Sequence, residues 1–283
     1  MRRDGPVSGN VVDRRGMGRG GLIGGGIGTV VLVVVGLMFG VDPRVILGMA
    51  ETAQTVQQSR APQGPAKAPT DEAGRFVQFV LGDTEQTWNA LFKQLGRDYQ
   101  EPKVILFTGA TPTACGTGQA AMGPFYCPLD ASVYFDLDFF KALQQKLNAA
   151  GDTAQAYVIA HEVGHHVQNQ LGIMEKVQSL KQRVGGAQAN QLSVRLELQA
   201  DCLAGVWGKH TETMKNVLEP GDLEAALNAA SAIGDDRLQQ QMQGRIVPES
   251  FTHGTSAQRM RWFKRGFESG DMNRCNTFKA TQL

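Results

Sequence analysis

Apolar residues recur at Val158, Ile159, Val163 and Val167, close to the 3.6-residue period of a helix, and predict a helix over 153–171. Asp152 or Thr153 stands where an N-cap belongs, and Gly172 stands where the helix should stop. The same spacing at Phe76, Phe79, Val80, Trp88, Leu91 and Phe92 predicts a helix over 76–95. Another is expected over 189–209, with Leu196, Leu198, Leu203, Val206 and Trp207 on its apolar side, and 137–147 also reads as helical. Two short apolar runs, 103–107 and 131–136, read as strands. The pattern as a whole predicts an α+β domain over 72–283. It should be mostly helical, with the 153–171 helix packed on a small antiparallel sheet.

Upstream the pattern changes. Residues 22–41 are uncharged and mostly apolar. Twenty residues at 1.5 Å each span about 30 Å, the thickness of a bilayer core. The expectation is one N-terminal transmembrane helix over 22–41, with 1–21 as a cytoplasmic segment. Arg2, Arg3, Arg14, Arg15 and Arg19 precede the stretch and only Arg44 follows closely, so positive charge places the N-terminus inside and the domain outside. A cleaved signal peptide is the competing reading, but the run is long for one and no clean small-x-small site follows. Gly20, Gly24 and Gly28 stand at a spacing that permits close helix approach, hence a homodimer through the span. Residues 42–71, with Pro62, Pro65 and Pro69, read as a flexible linker.

Charge and cysteines narrow the classes. The 28 basic and 27 acidic residues leave a net +1, and no basic block occupies the C-terminal half, so a nucleic-acid partner has no support. The four cysteines lack C-x-x-C spacing, which argues against a thiolate zinc knuckle. Cys115 and Cys127 bracket a loop between the two expected strands, and Cys202 and Cys275 can join the 189–209 helix to the C-terminal tail. Two disulfides fit a domain that faces an oxidising compartment.

The chemistry begins at His161-Glu162-Val163-Gly164-His165. Residues four apart share a helix face, so both imidazoles can reach one Zn²⁺. Glu162 flanks the metal and can take a proton from the water it activates. A catalytic site needs a third protein ligand, and Glu197 is the candidate. Asp201, four residues on, can accept the free N–H of a ligand histidine. His253 can stabilise a tetrahedral oxyanion, and Arg259 can anchor the acidic pair. His166 lies about 100° around the helix from His165 and points away from the metal. His210 reads as a cation at a helix C-terminus.

This order of residues is similar to that of the gluzincin metallopeptidases, nearest to the CAAX-prenyl-protease and heat-shock membrane peptidase group. The whole chain resembles the bacterial neutral zinc metallopeptidase family. The likeness is carried by 10–16, Cys115 to Cys127, Ala200-Asp201-Cys202-x-Ala204-Gly205-Val206-Trp207 and Thr252-His253-Gly254. It implies a zincin-like fold, zinc, a single membrane anchor and peptidase activity. Where the prenyl-protease group has proline after the histidine, this chain has Gly254.

The expected function is a zinc metalloendopeptidase at a bacterial inner membrane, its domain periplasmic or extracellular, acting on peptide or protein substrates. Two alternatives use the same residues. One is a zinc-stabilised, non-catalytic envelope scaffold; the other is an amidase acting on cell-wall peptides. Val133 to Asp136 is a candidate edge strand for docking an extended peptide.

Overall fold

A computed structural model of the chain describes residues 1–3, 5–16, 67–120, 123–147, 149 and 151–283. The expected span at 22–41 and most of the 42–71 linker lie outside the described residues. Among the described residues no helix is long and apolar enough to cross a membrane.

In chain order the elements are β1 (Val11–Asp13), α1 (Glu72–Gln94), β2 (Lys103–Phe107), β3 (Ala110–Thr113), β4 (Gly116–Gln119), β5 (Phe125–Cys127) and β6 (Ser132–Asp136). Then follow α2 (Asp138–Leu147), α3 (Asp152–Gln170), α4 (Ile173–Lys181), α5 (Gly186–Lys215), α6 (Asp222–Ala232), α7 (Asp235–Gln243) and α8 (Ser256–Ser269). Asp71 caps α1 by accepting from the Gly74 N–H at 3.1 Å. The cap of α3 is Gly151, with no side-chain bond, rather than Asp152 or Thr153. Thr255 and Gln258 form a reciprocal capping box at the start of α8.

The main sheet runs β1-β2-β6-β5. β1, β2 and β6 are parallel, and β5 alone is antiparallel, to β6. This corrects the expected antiparallel sheet. Strands buried on both faces read as continuous apolar runs, as Val104-Ile105-Leu106-Phe107 does. One face meets the main helical core, where Val104, Leu106, Val133 and Phe135 lie with Trp88, Tyr157 and Trp262. The other meets a smaller cluster of Ile105, Phe107, Cys127 and Tyr134. A separate antiparallel hairpin, β3-β4, stands between β2 and β5. β6 lies inside the sheet, so the Val133 to Asp136 strand cannot be the docking edge. The edges are β1 and β5.

β1 brings a second correction. The sequence pattern put residues 1–21 outside the domain, yet Val11 pairs with Val104 in the domain's sheet and is buried in its core. Both disulfides are present: Cys115–Cys127 ties the β3-β4 hairpin to β5, and Cys202–Cys275 ties α5 to the C-terminal tail.

Candidate metal centre and active site

α3 carries His161, Glu162 and His165, and α5 carries Glu197 and Asp201. The two helices cross at Gly164 and Ala200. A Cβ added at Gly164 would lie 3.0 Å from the Ala200 carbonyl oxygen and 3.2 Å from its Cα. A larger residue at Gly164 would therefore hold the helices, and the two halves of the site, apart.

His161 Nε2 lies 3.1 Å and His165 Nε2 3.4 Å from Glu197 Oε2. Among the described residues these three side chains form the one group whose ligand atoms all lie close together, within 4.8 Å. Zinc ligands at about 2.0–2.1 Å in a tetrahedron stand about 3.4 Å from one another. The donor set, two imidazoles and one carboxylate on two buried helix faces, therefore fits zinc.

Each histidine is turned by a partner behind it. His161 Nδ1 lies 2.9 Å from Asp201 Oδ1. A carboxylate only accepts, so Nδ1 carries the hydrogen and Nε2 faces Glu197. His165 Nδ1 lies 2.9 Å from Gln168 Oε1. The Gln168 amide nitrogen donates to the Leu196 carbonyl at 2.7 Å and to Gln199 Oε1 at 3.0 Å, which fixes its oxygen toward His165. Gln199 in turn donates to the Cys275 carbonyl, so the second disulfide closes the shell around His165.

Asp201 is fully buried and pairs with Arg259 through Nε and Nη2, both at 2.9 Å; the Tyr157 hydroxyl also donates to it. Burial opposes the charged carboxylate, but Arg259 and His161 overcome this and hold its pKa down at about 2. Burial likewise opposes a charged His161. The Asp201 charge and bonds to Asp201 and Glu197 nevertheless raise its pKa to about 10 in the metal-free protein. Metal must then displace a proton from this ring. Burial is the main cause that raises the Glu162 pKa, partly offset by the two histidines. Among the described residues no hydrogen bond ties the Glu162 carboxyl, which leaves it available to a proton.

The structure brings His161, His165, Glu197, Asp201 and Arg259 into one network. Arg259 bonds Asp201 rather than Glu197. His253 stands at the margin, half-exposed, with Nδ1 3.2 Å from Asp235 Oδ1. Its charge helps to lower the Glu197 pKa, behind burial, which opposes that shift, the charge of His165 and the bonds from His161 and His165. Asp235 also accepts from the backbone N–H groups of Thr252, His253 and Gly254, and so shapes this loop. Gly254 has φ +92°, which proline cannot adopt, so the loop departs from the prenyl-protease pattern. His166 faces the opposite side of α3, bonded to the Tyr126 hydroxyl at 2.9 Å and to the Gln100 carbonyl at 2.5 Å. His210 bonds the Gly270 carbonyl at 2.9 Å.

Gln168, Tyr157, Asp235 and Gly164 escaped the sequence reading. Two carried a signal: Gln168 is three residues after His165 and Tyr157 four before His161, each on the ligand's own helix face.

Residues 1–278 match the family described as "Putative neutral zinc metallopeptidase". The chain belongs to that family. It is 53% identical over 281 residues to "Uncharacterized protein YpfJ" of Escherichia coli (strain K12), covering 96% of both chains. It is 45% identical over 222 residues to "Uncharacterized protein Mb2605" of Mycobacterium bovis, covering 75% of this chain and 74% of the relative. No solved structure matches.

Proposed function

We propose that the protein is a zinc-dependent metallopeptidase that hydrolyses peptide bonds with water, with Glu162 as general base. The observation that carries this reading is the arrangement around His161, His165 and Glu197: three protein ligands and, next to them, a buried carboxyl with no hydrogen-bond partner among the described residues. A structural zinc site is closed by four protein ligands, whereas a catalytic one keeps a position open. That difference favours catalysis over the scaffold reading.

Zinc, when bound, supplies a Lewis acid that polarises the scissile carbonyl and acidifies a water. The chain does the rest. Glu162, its pKa raised by burial, takes the proton from the attacking water and passes it to the leaving amine. Asp201 and Gln168 keep both imidazoles in the tautomer that offers Nε2. Arg259 neutralises Asp201, so the Asp201 charge does not stand unpaired in the core. His253, whose charge reaches Glu197, would donate to the developing oxyanion. β5 lies at the sheet edge, the kind of position where an extended peptide can add a strand.

Metal analysis of the purified protein with parallel assays on an unfolded protein and on cell-wall peptides tests this reading. One zinc per chain and cleavage of the unfolded protein are expected. Zinc with cleavage of cell-wall peptides alone would favour the amidase reading, and zinc without any hydrolysis the scaffold.

A further inference from the structure

Residues on either side of the apolar stretch are anchored at one place in the fold. The Val104 N–H donates to the Asn10 carbonyl at 3.0 Å and the Arg14 N–H to the Leu106 carbonyl at 2.8 Å, so β1 is laced into the sheet edge on both sides. Beside it the Asp13 N–H donates to the Lys67 carbonyl at 2.8 Å, and the two residues form a β-bridge. Residue 13, ahead of the apolar stretch, thus touches residue 67, beyond it. Arg15 pairs with both Asp13 and Asp71, the cap of α1. Further back, the Ser8 hydroxyl donates to Glu85 at 2.7 Å and the Asn10 amide to the same carboxylate at 2.8 Å. Arg3 pairs with Asp152, the first residue of the metal-binding helix α3.

These contacts bear on topology. A single bilayer crossing at 22–41 would separate its flanks by about 30 Å. Residues 13 and 67, on either side of it, are in hydrogen-bond contact. Residues 42–66 cannot supply a return crossing, because they hold Asp42, Arg44, Glu51, Arg60 and two prolines beyond residue 61. The arginines that would hold the N-terminus in the cytoplasm have other work: Arg2 bonds the Asn216 carbonyl, and Arg3 and Arg15 pair with domain carboxylates. Three of those five arginines are thus held by the fold, which weakens the charge asymmetry as a topology signal.

We infer that residues 1–16 lie on the same side of any membrane as the domain bearing His161, His165 and Glu197, completing its sheet, and that 22–41 does not carry the chain from one side to the other.

Single cysteines in the full-length protein test this directly. Gly9, Gly16 and Gly185 are exposed and have open space around an added Cβ, so Gly9→Cys, Gly16→Cys and Gly185→Cys should fold as the parent does. Spheroplasts expressing each variant are treated with a membrane-impermeant maleimide, and labelling is divided by that after detergent permeabilisation. We expect the same fraction at all three positions, within about twofold, whether high or low. Labelling of Gly185→Cys in intact spheroplasts with Gly9→Cys and Gly16→Cys protected until permeabilisation, or the reverse, would overturn the inference. The two N-terminal positions guard against failure of either variant.

Discussion

Asp201→Asn is expected to be among the most damaging isosteric changes in this protein. The carboxylate is wholly buried and accepts from Arg259 Nε and Nη2, from the Tyr157 hydroxyl and from His161 Nδ1. An amide of the same shape removes the charge and, in either orientation, turns an NH₂ toward the Arg259 guanidinium, which only donates. Arg259, 2% exposed, is left as an unpaired buried cation. Breaking one partner of such a pair costs about 3–5 kcal/mol, a large share of a typical total of about 5–15 kcal/mol. The cost should be shared with Arg259. In the Asp201→Asn background, Arg259→Met should therefore cost about 2 kcal/mol less than in the parent. Urea unfolding followed by the fluorescence of Trp88, Trp207 and Trp262, all buried, reads each corner of the cycle, with metal chelated throughout. The acid limb offers a second reading. Asp201 titrates at about 2 when folded against an ordinary 3.8, so its contribution is complete above 3.8 and is lost as pH falls toward 2. That loss amounts to about 2 kcal/mol and should vanish in Asp201→Asn. Single-variant costs that add to within about 0.5 kcal/mol would refute the reasoning.

Two further expectations follow from the same site. Gln168→Ala removes the acceptor behind His165 and should weaken zinc binding about 10–100-fold in a chelator competition, with little loss of helicity; unchanged affinity would mean that Gln168 does not orient the ring. Gly164→Val should push α3 from α5 at Ala200, destabilise the fold by about 3 kcal/mol and lower metal content at equal protein concentration, and a variant with parental melting temperature and full zinc would contradict the crossing's role.

Much of the site was legible because its chemistry is local. His161, Glu162 and His165 lie within one and a half turns, and Glu197 and Asp201 within another, so helix period alone groups each set. Pairing the two sets required a second motif, not geometry. What stayed hidden was long-range. The parallel order of β2 and β6 depends on a hairpin and β5 intervening, and their continuous apolar runs announce burial on both faces without giving direction. β1 was missed because three residues among arginines carry no period, and because the apolar stretch beside it dominates any hydropathy reading. Asp235 was missed because it acts through backbone N–H groups 17 to 19 residues away, which no spacing rule detects.

The claim that this is a zinc peptidase is tested most directly by Glu162→Gln, assayed for metal and for hydrolysis of an unfolded protein in one preparation. Glu162 is not among the grouped ligands, so zinc should stay at one per chain while the cleavage rate falls at least 100-fold, the scale of a lost general base. Cleavage by Glu162→Gln at the parental rate, with zinc retained, would contradict the assignment of Glu162 as the base and the mechanism built on it.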